Sequence, residues 1–270
     1  MLPFTSLLLA STLCAEPTPS PVEIADLVEP ARPGFDLSAN LSAASPDDVK
    51  PEEYGKWHGS VTFGATSASG NTDRFTAALG ANAMNRREKD RRTFDLLWNY
   101  AEEEGTITQR RTYASGKYDY FVDKKLYYLG QASLENDMNA KLDLRAIAGA
   151  GAGYQFREDD IWKLAGEAGL SYVDENYDGS SDDAEFIAAR LAYKADWTPN
   201  KAWAVGQATE LYPSLEDNDD ITARVDTHAK LTLTEKMFAQ FQWIYSWDNT
   251  PATGAERVDN LFLLMIGWTF

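Results

Sequence analysis

The stretch 221-ITARVDTHAKLTL-233 decides the fold. Drawn as an extended chain, it puts Ile221, Ala223, Val225, Thr227, Ala229, Leu231 and Leu233 on one side and Thr222, Arg224, Asp226, His228, Lys230 and Thr232 on the other. A period of two is that of a strand, because successive side chains point to opposite faces. Ordinary strands average about five or six residues. Crossing a hydrocarbon layer at a tilt takes about 9–11. The same pattern recurs at 184–197, where Ile187, Ala189, Leu191, Tyr193, Ala195 and Trp197 oppose Phe186, Arg190, Lys194 and Asp196. At 142–156, leucines and alanines oppose Asp143, Arg145 and three glycines.

Twelve such segments follow one another, at 57–68, 72–85, 91–103, 106–121, 125–137, 142–156, 161–174, 184–197, 202–212, 221–234, 237–247 and 257–270. Short charged breaks ("RREKD", "VDKK", "REDD", "TPNK", "TEK") separate some of them. Longer breaks rich in Asp, Asn, Gly and Ser ("ENYDGSSDDA", "PSLEDNDD", "DNTPATGAE") separate others. The expectation is an all-β protein: a closed up-and-down antiparallel transmembrane β-barrel of about twelve strands. A soluble barrel or sandwich would turn the apolar face inward. Two features favour the inverted arrangement. Aromatic residues crowd segment ends (Phe156, Trp162, Trp197, Trp203, Trp243, Trp247, Trp268), where interfacial girdles belong. The chain also ends within an aromatic strand, 261-LFLLMIGWTF-270, and pairing of that strand with the first would close the sheet. Trp268 and Phe270 are the expected C-terminal assembly signal. Leu261, Leu263 and Met265 fall on the expected inward face and fit the polar-lumen pattern least well.

Composition sets the remaining bounds. The 270 residues carry a net charge of −17, two His and one Cys, and no run reaches the length of a spanning helix. Residues 1–15 read as a secretory signal peptide, apolar from Phe4 to Cys14 with a small residue at Ala15, although no Lys or Arg precedes the run. Residues 16–55 hold seven of the eleven prolines, nine acidic residues and two basic ones, a net of −7. They read as an acidic, Pro-rich, disordered periplasmic leader. Residues 56–270 form the barrel domain and remain acidic, which speaks against a nucleic-acid partner. Two distant His and no Cys in the mature chain supply no metal set, and no cofactor is expected.

With the strands in place, 57-WHGSVTFGATSASGNTD-73 resembles the opening of a family of bacterial outer-membrane barrels of unknown function, often labelled salt-induced outer-membrane proteins. The matching residues are Trp57, Gly59 and Gly64, the turn Ser69, Gly70, Asn71 and Thr72, and the terminal aromatic strand. The resemblance covers about Lys56 to Phe270. It implies a fold and a location in the bacterial outer membrane, with no reaction or ligand.

Inside such a barrel the expected lumen charges are Arg74, Asp95, Lys117, Asp119, Glu135, Arg145, Lys163 and Glu167 from the first seven segments. Arg190, Lys194, Asp196, Glu210, Arg224, Asp226 and Lys230 follow from the later ones. They form either ion pairs across the bore or a charge-selective constriction, and strand register decides between the two. Expected partners are the lipid bilayer, the outer-membrane assembly machinery and small solutes. The leading reading is a narrow passive channel or an envelope-structural barrel, not an enzyme. The alternative is an outer-membrane hydrolase of phospholipase type using His58 and Ser60, which share a strand face but lack an assignable third member. Short turns are expected at the periplasmic end, together with both termini, and longer loops outside.

Overall fold

A computed structural model describes residues 54–70, 72–177 and 183–270. The expected signal peptide and most of the leader lie outside these residues. Twelve strands run in chain order: β1 (Trp57–Ala68), β2 (Arg74–Arg86), β3 (Asp90–Glu103), β4 (Thr106–Phe121), β5 (Leu126–Asp137) and β6 (Leu142–Glu158). They continue as β7 (Trp162–Tyr177), β8 (Ala184–Trp197), β9 (Trp203–Pro213), β10 (Ile221–Thr232), β11 (Met237–Asp248) and β12 (Val258–Thr269). Each pairs antiparallel with its sequence neighbour and β1 pairs with β12, so the sheet is a closed up-and-down barrel. The strands are 11 to 17 residues long, and their ends differ from the sequence expectation by no more than about three residues.

The start of β1 and the end of β12 meet at one rim, called here the C-terminal rim, and four of its five hairpins share a turn device. A side-chain oxygen accepts the backbone N–H groups two and three residues on. Asp123 Oδ1 accepts from Lys125 (2.7 Å) and Leu126 (2.8 Å). Asp159 Oδ1 does so from Ile161 and Trp162, Asn200 Oδ1 from Ala202 and Trp203, and Thr234 Oγ1 from Lys236 and Met237. Such side chains mimic a backbone turn and hand the chain into the next strand. Two carboxylates are held below the usual range by these bonds: Asp123 by the N–H of Leu126 and then Lys125, and Asp159 by Arg157 and then by Trp162 and Ile161.

The opposite, far rim differs from the expected division of short turns and long loops. Only its later links are long, 178–183, 214–220 and 249–257. The β3–β4 link is the two-residue turn Glu104–Gly105 with φ of 50° and 75°, the left-handed pair that a tight hairpin requires.

The two faces of the wall differ. Outward-facing Val61, Phe63, Leu79, Leu96, Leu134, Leu170, Leu191, Phe241, Phe262 and Leu264 are exposed. Among the described residues, outward-facing Asp, Glu, Lys and Arg lie within about five residues of a strand end, as with Arg92, Glu102, Arg110, Asp174 and Glu185. Outward aromatics cluster toward the rims: Trp162 stacks on Trp197 (5.7 Å) and Trp57 tilts on Phe94 (5.8 Å) at the C-terminal rim, and Phe75 meets Tyr100 (6.4 Å) at the far one. Several outward polar groups satisfy one another. Tyr193 Oη donates to Gln207 Oε1, Gln207 Nε2 to Thr227 Oγ1 (3.0 Å), and Trp243 Nε1 to Asn260 Oδ1 (3.0 Å).

Closure is the thinnest part of the wall. β1 and β12 share four paired positions, Ser60↔Thr269 through Phe63↔Ile266, against twelve between β1 and β2. Gly59 and Phe270 exchange backbone bonds beside them, Gly59 N to Phe270 O at 3.3 Å and Phe270 N to Gly59 O at 3.0 Å. A side chain at Gly59 would overlap the Phe270 ring, and a Cβ at Gly64 would lie 2.7 Å from Leu264 O. The two glycines that mark the opening motif are therefore the places where β1 admits β12.

Candidate functional site: the charged lumen

The inward face holds most of the buried ionic groups, arranged in bands. In the far half, charge sign alternates strand by strand across β4 to β7. Arg111 binds Glu135 (2.8 Å from Nε) and Asp137 (3.2 Å), and Arg145 binds Glu175 (2.6 Å) and Glu135 (3.6 Å). The acid groups thus sit between guanidinium groups, in the fixed fork geometry that suits Arg to buried pairs.

A second band crosses the middle. Arg91 holds Asp119 at 2.7 Å, Lys117 lies 3.4 Å from Asp119 and also binds Glu167, and Arg190 joins Glu167 (2.8 Å) to Glu210. Lys117 stands on β4 and Glu167 on β7, so two strands lie between them. The reach is possible because β6 presents Gly149, Gly151 and Gly153 inward, and the Tyr127 ring fills the space a side chain at Gly153 would take. Tyr127 Oη donates to Glu167 Oε1 at 2.7 Å. Tyr212 Oη donates to Glu210 Oε2 (2.9 Å) and accepts from Gln131 Nε2 (3.1 Å), tying β9 to β5. On the remaining arc, Gln242 Nε2 donates to Asp226 Oδ2 (2.7 Å), Gln240 Nε2 to Gln242 Oε1 (3.2 Å) and Arg224 Nη1 to Ser246 Oγ (3.4 Å).

All the sequence-nominated charges stand on the inward face. Arg74 lies 3.9 Å from Glu103, Ser115 Oγ donates to Asp95 (3.4 Å), and Lys194 lies 3.4 Å from Asp196. Lys163 is opposite Asp196 in register, and Lys230 lies 4.2 Å over the Phe238 ring. The alternation, carried to the strand ends, would also have named Arg91, Arg111, Asp137 and Glu175, which the sequence list omitted. Tyr127 and Tyr212 left no such mark, because an aromatic near a strand end reads equally well as part of a girdle.

The lumen is more apolar and more filled than a purely polar bore. Ile147, Val173, Phe186, Ala188 and Tyr212 form a buried cluster, Leu97 packs on Tyr113, and Met265 and Ile244 are buried. This is where Leu261, Leu263 and Met265 belong: they help fill a cylinder whose twelve strands would otherwise leave a void. A cavity of about 80 Å³ lies toward the C-terminal rim, lined by Arg91, Lys117, Lys163, Glu167, Arg190 and Lys194 among others.

Charge is unevenly distributed along the axis. The inward face of the half nearest the C-terminal rim carries Arg86, Arg91, Lys117, Lys163, Lys194 and Lys230 against Asp95, Asp119, Glu167 and Asp196, a surplus of two positive charges. The far half carries Arg74, Arg111, Arg145, Arg190 and Arg224 against Glu103, Glu135, Asp137, Glu175, Glu210, Asp226, Asp248 and Asp259, a surplus of three negative charges.

The remaining candidates are placed as follows. His58 and Ser60 both face the lumen, and Ser60 is engaged by Asn82: its N–H donates to Asn82 Oδ1 at 3.0 Å and Asn82 Nδ2 lies 3.2 Å from its Oγ. Ser69, Gly70 and Thr72 form the exposed β1–β2 turn, where Gly70 has φ 135° and donates to Asp73 Oδ1 (3.3 Å). Asn71 lies outside the described residues. Trp268 and Phe270 are exposed on the outer surface at the C-terminal rim. Among the described residues, no cluster of His, Cys, Asp and Glu is arranged to hold a metal ion.

Fold and lumen together define a closed twelve-stranded antiparallel β-barrel with an apolar exterior and an ion-paired interior. The chain belongs to the family described as "Protein of unknown function, DUF481", which matches residues 61–270. No curated protein matched the chain. Similar solved structures include the NanC porin (8% identity, 79% of this chain and 98% of that one, TM-score 0.48). An outer membrane channel from Pseudomonas putida F1 is similar at 11% identity (84% and 98%, 0.48), and the KdgM porin at 10% (80% and 99%, 0.43). No function is carried over from them.

Proposed function

We propose that the protein is a bacterial outer-membrane barrel whose narrow, charged lumen serves as a passive channel for small solutes. The observation that carries the membrane assignment is the partition between the two faces. Groups that cost several kcal/mol to leave in hydrocarbon, about 2–4 for an Arg or Lys at the midplane, are kept off the central outward surface and concentrated inside. Closure joins the first strand to the last and so removes the open edges of a sheet, which a spanning sheet requires. In this reading both termini and the short hairpins lie in the periplasm, the longer loops lie outside, and the exposed strand ending in Trp268 and Phe270 is what the assembly machinery engages.

The channel part rests on the continuous inward band of ionic and amide side chains. The test is single-channel recording of purified, folded protein in planar bilayers. Discrete, reproducible conductance steps support it. A sealed bilayer containing inserted protein overturns it and leaves an envelope-structural barrel, a reading favoured by how completely side chains fill the bore. Detergent-dispersed phospholipid, assayed with Ser60→Ala in parallel, separates off the hydrolase: only hydrolysis that is lost in the variant supports it.

A further inference from the structure

The link between β11 and β12 reaches across the far mouth. In strand order it lies opposite the β5–β6 turn, six strands away in either direction. Yet Lys141 of that turn donates from Nζ to Thr253 O at 2.9 Å. Pro251, Ala252 and Ala255 close over a cavity of about 20 Å³ whose other walls include Leu142, Arg145 and Tyr177, from β6 and β7. Leu142 stands at the rim end of β6 and is nevertheless only 2% exposed.

The local chemistry shapes this crossing. Asp248 N donates to Arg257 O at 2.9 Å and closes the hairpin, so residues 249–256 leave the wall. Their tip is a tight turn: Ala255 N donates to Ala252 O at 2.9 Å, and Gly254 takes φ 85°. The two attachments of the segment differ in strength. Its first leg is pinned to the β9–β10 link by three bonds: Asn249 N to Ile221 O (3.1 Å), Asn249 Nδ2 to Asp219 O (2.8 Å) and Thr250 Oγ1 to Asp220 Oδ1 (2.9 Å). The tip lands through small apolar side chains, which bury little area, and through the ammonium of an exposed lysine. Lys141 itself holds φ 55°, a left-handed position that glycine or asparagine fills more easily. The backbone thus carries some strain to present that side chain, as happens where a residue serves a switch.

We propose that residues 249–257 form a hinged strap over the far mouth, pinned at Asn249 and Thr250 and released at Lys141, whose lifting admits solutes to the bore. This rests on the reading of the bore as a solute path, and it names how that path is regulated. A firm hinge with a weakly held tip gives local opening without loss of the barrel, because segments with few buried contacts open at low free energy. Lifting uncovers the ionic band of the far half, where Arg111, Glu135, Arg145 and Glu175 meet.

The test places a cysteine under the strap, Leu142→Cys, in the full chain carrying Cys14→Ser. In lipid nanodiscs, the rate of its reaction with a water-soluble maleimide reports access from the far mouth. Lys141→Met keeps the aliphatic stem and removes the donor, and it should speed labelling about two- to tenfold, the range for one lost hydrogen bond. Replacing residues 250–255 with Gly-Gly should speed it further. Thr198→Cys on the C-terminal rim, in place of Leu142→Cys, should label equally in all three backgrounds. Unitary conductance or open time, recorded without the added cysteines, should rise in the same order. Labelling at position 142 that is indifferent to both changes overturns the strap, whether or not the barrel conducts. Faster labelling with an unaltered conductance also overturns it as a gate. Faster labelling in a barrel that never conducts removes the channel reading and leaves the strap as a movable cover. Lys141→Met alters an exposed side chain, so the test survives if the shortened link fails to fold.

Discussion

Tyr127 reaches Glu167 across the backbone of β6, and it does so directly over Gly153, with its hydroxyl 2.7 Å from the carboxylate. Without a glycine there, the ring would have to move and the band from Arg91 to Glu210 would lose its central bond. Gly153→Val is expected to destabilise the folded barrel by about 1–3 kcal/mol, the range for overfilling a packed interior. A lower denaturant midpoint in a folding titration checks it. Gly130→Val, a swap on the outward face where a Cβ meets nothing within 4 Å, is the control and should shift the midpoint far less.

Arg190 neutralises Glu167 and Glu210 together while buried. Arg190→Ala leaves both carboxylates short of a partner, and breaking a buried pair this way costs about 3–5 kcal/mol. It also clears a guanidinium from the middle of the bore. The expected outcome is a less stable barrel with larger unitary conductance. An unchanged conductance would show that the ion path avoids this side of the lumen.

Leu264 is 77% exposed near the middle of β12, facing away from the lumen. Leu264→Arg is expected to cost about 2–4 kcal/mol when the protein folds into lipid vesicles. A soluble barrel would barely register the change. Folding yields in vesicles and in detergent, measured side by side, separate the two cases.

The opposite charge surpluses at the two ends predict rectification: current through an inserted channel should differ on reversing the applied voltage. Asp217→Asn/Asp219→Asn/Asp220→Asn alters only the β9–β10 loop at the acidic mouth. The triple variant should reduce the asymmetry, and more so at low salt, where screening is weakest.

The Asp123 carboxyl is held low by the N–H groups it accepts from in its turn, and the Asp159 carboxyl by Arg157 first and then by the N–H groups of its turn. A carboxyl with a depressed folded value stabilises its turn above its unfolded value, about pH 4, and loses that contribution as pH falls through the folded one. The protection factors for amide exchange at Leu126 and Trp162, taken relative to the intrinsic rate at each pH, should therefore fall below pH 4. The fall should be absent in Asp123→Asn and Asp159→Asn, which accept the same bonds without titrating.

Much of this fold was legible in the sequence because period two survives nearly intact through twelve segments, and β10 shows it with scarcely an exception. It fails where the register shifts, as between Leu142 and Leu144. There Leu142, assigned outward with its neighbours, turns inward and is buried. The ionic residues of the lumen were legible one at a time, but their pairing was not. Nothing in the one-dimensional pattern says that Lys117 meets Glu167 across two strands, because that contact depends on the glycines of β6 and the tilt of the wall. Tyr127 and Tyr212 were likewise hidden, since their role is set by the neighbours they lie over.

The four-position seam between β1 and β12 also governs timing. Its two halves are separated by almost the entire length of the barrel domain, the most distant pairing the chain contains, and such contacts form late. Until Phe270 comes alongside Gly59, twelve staves joined by eleven hairpins can only be a curled sheet with two raw edges. The final residues thus act as the clasp, and the finished cylinder should breathe there first.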